Sequence, residues 1–131
     1  INTTRVVLMS DKSTLSQFGH VFQAKIISSL LSDKKFIQTI CDILEPEYFD
    51  SDANKWICKE IRDYFFEYKT PPTLEVMKVK IDDMENEVLQ VSVVENLKES
   101  WRNVKSTDLK FVQEQTLDFC KNQTLKKVTG S

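Results

Sequence analysis

The sequence predicts an all-α protein, a small helical bundle of about four helices followed by a C-terminal antiparallel helical hairpin. Only two glycines and three prolines interrupt 131 residues, whereas sandwiches and barrels need turn residues roughly every eight to twelve positions. From Leu15 onward, apolar side chains recur three or four positions apart, the spacing that aligns them on one face of a helix. With 40% hydrophobic residues, the chain is expected to bury one modest core as a single domain over residues 15–131.

The first fourteen residues differ from the rest. They carry one short apolar run, Val6 to Met9, between polar residues, which suits an N-terminal arm or a single short strand better than a helix. A first helix is then predicted from Leu15 to Leu31, with apolar residues at positions 15, 18, 22, 26 and 30.

Three further helices of a globular bundle (residues 15–84) are predicted from their caps. Asp33, Ser51 and Thr73 each precede an amphipathic segment, and their side-chain oxygens are able to accept from free N–H groups of a first turn. The second helix is expected to end at Glu45-Pro46 and the third at Lys69, before Pro71-Pro72. The apolar faces expected of these helices are Phe36, Ile37, Ile40 and Leu44, then Ala53, Ile57, Ile61, Tyr64, Phe65 and Tyr68, then Leu74, Met77, Val79 and Ile81.

The last third of the chain predicts the hairpin, residues 86–128. Two long helices, 86–104 and 108–127, are joined by Lys105-Ser106-Thr107, a connection short enough to fold them back against each other. The second helix is apolar on two sides, because Phe111, Leu117 and Leu125 lie away from the stripe that carries Val112 and Phe119. This second arc predicts contact with another chain.

Two aromatic residues of the third helix, Trp56 and Phe66, also project outside its main apolar arc. Large aromatics that miss the core are common at interface hot spots. The alternative is that other helices of the bundle cover them. The candidate interface residues are therefore Trp56, Phe66, Phe111, Leu117 and Leu125.

Composition and charge argue against several classes of function. A net charge of −2 disfavours direct binding to nucleic acid, because such binding neutralises many phosphates. No apolar stretch is long enough to span a membrane, and the first residues lack the pattern of a secretory signal, so a cytoplasmic protein is expected. The three cysteines lack the paired spacing of zinc sites, and buried free thiols are expected. The chain opens at Ile1 without a methionine, so a fragment lacking a catalytic domain is expected.

No catalytic motif is evident. Two isolated glycines are unable to form the glycine-rich loop that wraps nucleotide phosphates. His20 is the only histidine, and in a predicted helix it is expected to be an ordinary residue rather than a catalyst. The acidic pair Asp82-Asp83, the pair Glu45 and Glu47, and the basic steps Lys34-Lys35 and Lys126-Lys127 are expected to be solvated charges. We therefore expect no enzyme activity, no cofactor and no metal.

The order of these motifs resembles the N-terminal region of DnaB-type replicative DNA helicases, most closely those of T4-type phages. The likeness spans residues 15–128. It rests on the helix end Leu30-Leu31-Ser32-Asp33, the loop from Leu44 to Phe49 and the continuation Asp50-Ser51, the pair Glu67-Tyr68, the break Pro71-Pro72-Thr73-Leu74, and Val112, Leu117 and Phe119 in the last helix.

The resemblance implies a non-catalytic domain that precedes an ATP-hydrolysing motor in DNA replication. In this family, such domains pair through hairpins into a collar on the hexamer and help to bind primase or a helicase loader. Phe111, Leu117 and Leu125 then become the expected oligomer face. The family offers no counterpart for residues 1–14.

Two other hypotheses remain open. In the first, the chain is a stand-alone helical phage adaptor or regulatory protein that shares only the helical pattern with these helicases. A helical nucleic-acid binder is the other alternative, and it predicts an affinity that falls steeply with salt.

Overall fold

The computed structural model describes the backbone of residues 14–130 and the side chains of residues 14–125. The predicted arm at residues 1–14 therefore lies outside the described residues, apart from Thr14. Over the described range the chain is helical and has no strand, which confirms the all-α prediction. The helices are α1 (His20–Ser32), α2 (Lys34–Ile40), α3 (Asp52–Tyr68), α4 (Leu74–Asp82), α5 (Glu87–Arg102) and α6 (Leu109–Gly130), with short 3-10 helices at Leu15–Phe18 and Pro46–Tyr48.

The first predicted helix, 15–31, is interrupted. A 3-10 turn ends at Phe18, and Gly19 then adopts a φ of 90° and a ψ of 171° before α1 begins. Only glycine populates this region readily, since it has no Cβ to clash with the backbone. Spacing alone missed the break because three-residue periodicity fits a 3-10 turn as well as an α-helix.

The three predicted caps are confirmed. Ser51 Oγ accepts from the N–H of Asn54 at 3.1 Å, and Thr73 Oγ1 accepts from that of Val76 at 3.3 Å. The carboxylate of Asp33 caps α2 in the same way. These side chains satisfy N–H groups that a first turn leaves without a helical partner.

Three further details of the predicted helices were wrong. Tyr68, placed on the apolar face of α3, is 57% exposed at the last residue of that helix. The second helix ends at Ile40, whose carbonyl accepts from the N–H groups of both Ile43 and Leu44 in a tight turn. Leu44 is buried nonetheless. On α4, Val79 is 63% exposed, because it lies only two positions from Met77 and Ile81 and so points away from their face.

A single core lies around α1, which packs against α2, α3, α5 and α6. The core draws its buried side chains from every helix: Ile26, Ile27, Leu30, Phe36, Ile37, Ile40, Ile57, Ile61, Met77, Val93, Leu97, Val112, Phe119 and Cys120. Helix α5 also packs along α3. Because of this arrangement, α5 belongs to the same packed body as the first four helices.

The predicted antiparallel hairpin of residues 86–128 is not confirmed. Among the described residues, the main contacts of α5 are with α3 and α1, and those of α6 are with α1. The connection is short, as expected, but a short loop fixes only the distance between helix ends. Helix α5 instead packs onto α3 and α1, and α6 packs onto α1, because these contacts bury their apolar side chains.

Polar contacts hold α1 and α6 in place. Lys25 Nζ lies 2.8 Å from Asp108 Oδ2, one residue before α6 begins. This hydrogen bond is the main cause that lowers the pKa of the Asp108 carboxyl below its ordinary value. Gln23, fully buried, donates to the Gly19 carbonyl and accepts from the N–H of Asp50, both at 3.3 Å.

In the described part of the chain, no helix is both long enough and apolar enough to cross a membrane.

Candidate protein-interaction surfaces

The two candidate interface residues of α3 differ in exposure. Trp56 is half-buried and packs against the core, so neighbouring residues cover part of it. Phe66 remains 42% exposed, and the Arg62 guanidinium lies 5.5 Å from its ring centroid, within cation–π range. Arg62 is itself held by Glu45 at 3.0 Å. Phe66 is thus the more accessible of the two.

The three candidates on α6 do not form one continuous arc. Phe111 and Leu125 are 58% and 60% exposed, whereas Leu117 is half-buried and packs against the core. Phe111 and Leu125 are fourteen positions apart in the sequence, which places them about 21 Å apart along the axis. Apolar surface on α6 therefore lies in two separate places, and Leu117 supports the fold as well as any interface.

An apolar groove lies between α4 and α5, beside Trp101. It has a volume of about 460 Å³ and is lined mainly by the apolar side chains of Leu74, Ile81, Val94, Leu97 and Trp101. Lys78, Lys98, Arg102 and Asp82 stand at its edges. A second depression of about 500 Å³, beside Pro71-Pro72, shares Leu74 and Trp101 with it.

Sequence reasoning missed Trp101, although it is 42% exposed and lies at the junction of both depressions. The signal was present in the spacing Val94, Leu97, Lys98, Trp101, which places these residues on one side of α5. The structure turns this side toward α4, and the ring of Trp101 lies where the two helices leave the groove open.

The cysteines are buried, as predicted, and show no disulfide among the described residues. Burial raises the pKa of Cys58 and of Cys120 to about 12, and it also raises that of Cys41. At neutral pH these thiols are protonated, and a protonated thiol is a poor nucleophile and a poor metal ligand. Their role is packing.

His20, Glu45 and Asp82 lie in different parts of the fold. His20 is exposed at the first residue of α1 and borders a polar depression of about 520 Å³ with Asp52 and Ser92. Glu45 pairs with Arg62, and Asp82 stands at the edge of the α4/α5 groove. Within the part of the chain described by the structure, no three His, Cys, Asp or Glu side chains gather as a metal site would require.

The surfaces with the largest exposed apolar side chains are thus on α5 and α6, with Phe66 on α3. Comparisons of the chain with protein-family models, with curated protein sequences and with solved structures find no match.

Proposed function

We propose that this chain is the non-catalytic N-terminal domain of a phage replicative DNA helicase of the DnaB type. In this proposal it works in the host cytoplasm, associates with copies of itself in a collar and binds a primase or a helicase loader. The observation that carries the proposal is the exposure of large apolar side chains, above all Phe111 and Leu125 on α6.

Exposed apolar residues support an interaction role for a physical reason. Single exposed apolar side chains are ordinary on a protein surface. Phe111 and Leu125, however, are both more than half exposed on one helix. The free energy that burying them would provide is gained only when another surface covers them. Helix α6 already satisfies its own fold through Val112, Phe119 and Cys120, which are buried against the body of the domain. The outward side of α6 is not required for this packing.

The sequence resemblance supplies the identity of the partners. The helix end Leu30 to Asp33, the loop Leu44 to Phe49 and the break Pro71 to Leu74 occur in the order that DnaB-type helicases have. In the structure these segments are the end of α1, the turn after α2 and the start of α4. The all-helical fold is compatible with that family. In this proposal, the residues that hydrolyse nucleotide belong to a separate motor domain.

Sedimentation velocity tests the proposal. We expect the chain to self-associate at high micromolar concentration, and we expect the cognate primase or loader to shift its sedimentation. Phe111→Ser combined with Leu125→Ser is expected to weaken self-association. Val79→Ser serves as the matched control, because Val79 is equally exposed, at 63%, but lies on α4. The proposal is wrong if the chain stays monomeric at all concentrations and binds neither the primase nor the loader.

The gene separates this proposal from the alternative of a stand-alone phage adaptor. A helicase requires a downstream reading frame that carries the glycine-rich phosphate loop followed by lysine and a hydroxyl residue. A gene that encodes no such motor would favour the adaptor.

A further inference from the structure

The groove between α4 and α5 has a closed end and an open end. Near the connection of the two helices, the Gln90 side-chain amide donates to the Ile81 carbonyl at 2.8 Å. At the far end, Leu74 and Trp101 line the groove together. The two helices therefore run antiparallel, are joined near their connection, and leave the groove open beside Trp101 and the depression at Pro71-Pro72.

The apolar lining of the groove is arranged in depth. Ile81 and Leu97 are buried and form its floor, whereas Leu74 and Val94 are half-buried and stand higher on its two sides. Trp101 adds an exposed aromatic ring at the open end. The volume of about 460 Å³ falls in the range of roughly 300–1,000 Å³ that is typical of small-molecule sites.

Two exposed lysines stand at the rim, one on each helix. Lys78 lies four residues after Leu74, and Lys98 lies three residues before Trp101. Both lysines are therefore about one helical turn, roughly 5 Å, from the open end of the groove. Among the residues that the structure describes, neither ammonium group forms an ion pair.

The remaining charges at the rim differ from these two lysines. The Arg102 guanidinium is already paired with Glu99 at 2.7 Å, so it contributes little net charge. Asp82 lies four residues beyond Lys78, at the closed end of the groove, which is about 6 Å farther along α4. An anion in the groove is therefore attracted towards the lysines and repelled by Asp82, and this difference sets its orientation.

We propose that the α4/α5 groove binds a small amphiphile that has an apolar body and one carboxylate. The carboxylate lies between Lys78 and Lys98. The apolar body lies on Ile81 and Leu97 and against the ring of Trp101. Burial of this body stabilises the complex, and the two lysines, whose mutual repulsion an anion relieves, select a negative head group over a neutral or positive one.

A small ligand fits this groove better than a helical segment of another protein. A helix is about 10–12 Å across with its side chains, and a helix lying along the groove would end against the contact between Gln90 and Ile81. The site includes neither Phe111 nor Leu125. The inference therefore stands without the helicase assignment.

Binding of decanoate to the whole chain tests the site. Decanol and decyltrimethylammonium, which have the same chain length, are the uncharged and cationic comparison ligands. Nitrogen–proton correlation NMR follows the indole N–H signals of Trp56 and Trp101, which Trp101→Phe assigns. Decanoate, kept below its micelle concentration, should shift the Trp101 signal to saturation and leave the Trp56 signal in place. The comparison ligands should bind more weakly, and higher salt should weaken only the binding of decanoate.

Variants separate the contributions of charge and apolar surface. Lys78→Gln with Lys98→Gln should raise the dissociation constant of decanoate about tenfold and leave that of decanol unchanged. Lys110→Gln with Lys121→Gln is the control: it makes the same change in net charge at exposed positions of α6, and it should change neither constant. Val94→Phe, which fills the groove, should weaken the binding of both ligands. Circular dichroism confirms that each variant is folded.

The proposal is wrong if decanoate leaves the Trp101 signal in place, or if decanol binds as tightly as decanoate. It is equally wrong if the Lys78→Gln, Lys98→Gln variant binds decanoate as the parent does, or if Val94→Phe does not weaken binding. A shift of the Trp101 signal by an acidic helical peptide but not by decanoate would assign the groove to a protein partner instead. None of these measurements reports self-association, so failure here leaves the proposed function standing.

Discussion

The side-chain amide of Gln113 donates to Oδ2 of Asp33 across 3.2 Å, which ties α6 to the beginning of α2. Oδ1 of the same carboxylate accepts from the N–H groups of Lys35 and Phe36 at 3.1 and 3.2 Å. One side chain therefore makes a local cap, which the sequence predicts, and a contact between residues 80 positions apart, which it does not.

Substitutions at this pair should separate the two contributions. Asp33→Ala is expected to lower the free energy of unfolding by about 1–2 kcal/mol, because it removes the cap, and Gln113→Ala by about 0.5–1 kcal/mol, the usual net value of one hydrogen bond. Asp33→Asn should retain most of the cap, since Asn is an equally good N-cap residue. Urea unfolding of the three variants measures the differences. Equal losses in Asp33→Ala and Gln113→Ala would mean that the cap adds nothing.

Two adjacent serines of α1 should respond oppositely to truncation. Ser28 Oγ donates to the Ser100 carbonyl on α5, whereas Ser29 Oγ is buried and has no hydrogen-bond partner among the described residues. Ser29→Ala should raise the free energy of unfolding by about 1 kcal/mol, because alanine has the better helix propensity and removes a desolvated hydroxyl. Ser28→Ala should lower it by a similar amount, since it removes the side-chain hydrogen bond between α1 and α5 and leaves the Ser100 carbonyl only the N–H of Asn103 as a donor. Thermal or urea unfolding of the matched pair gives the comparison, and a loss in both variants would refute the assignment of Ser29.

Gly19 should resist substitution for reasons of backbone conformation rather than space. A Cβ added there would meet no atom within 4 Å, but the φ of 90° is one that L-residues rarely adopt. Gly19→Ala is therefore expected to cost about 1–3 kcal/mol. Gly19→Asn should cost as much, because a ψ of 171° lies far from the left-handed helical region that Asn tolerates. The neighbouring control His20→Ala should stay within about 0.5 kcal/mol. An alanine variant as stable as the parent in urea would contradict this account.

The cysteines should differ in reactivity and in their effect on alkaline stability. Cys41 is 9% exposed, against 1% for Cys58 and 0% for Cys120. Iodoacetamide should therefore label Cys41 first, and label the other two only when the chain unfolds. Peptide mass mapping measures the order, and early labelling of Cys120 would show that α6 opens readily.

The same thiols set a direction for stability at high pH. Folding raises the pKa of Cys58 from 9.0 to about 12, so between those values the unfolded chain releases a proton that the folded chain keeps. The free energy of unfolding should thus be unaffected by this thiol below pH 9 and should fall as the pH rises above it. Cys58→Ala should flatten that part of the profile. An unchanged slope in the variant would assign the alkaline loss to other groups.

The sequence was most informative where the cause of structure is local. Asp33, Ser51 and Thr73 were identifiable as caps because each interacts with N–H groups two or three residues ahead. The ends of helices were less certain at Gly19 and Ile40, where a 3-10 turn and a tight turn obey nearly the same spacing as an α-helix. For the candidate interfaces, periodicity identified Phe111 and Leu125 as residues outside the core but did not reveal that Leu117 is half-covered.

The amino-acid sequence by itself determined the helical class, the caps and the apolar stripes, because these depend on residues within about one helical turn of each other. Only the tertiary structure decided that α5 and α6 both lie against α1 instead of against each other. That choice depends on which surfaces of distant helices bury the most apolar area together, and spacing along one helix carries no information about it. The same choice turned Trp101 toward α4.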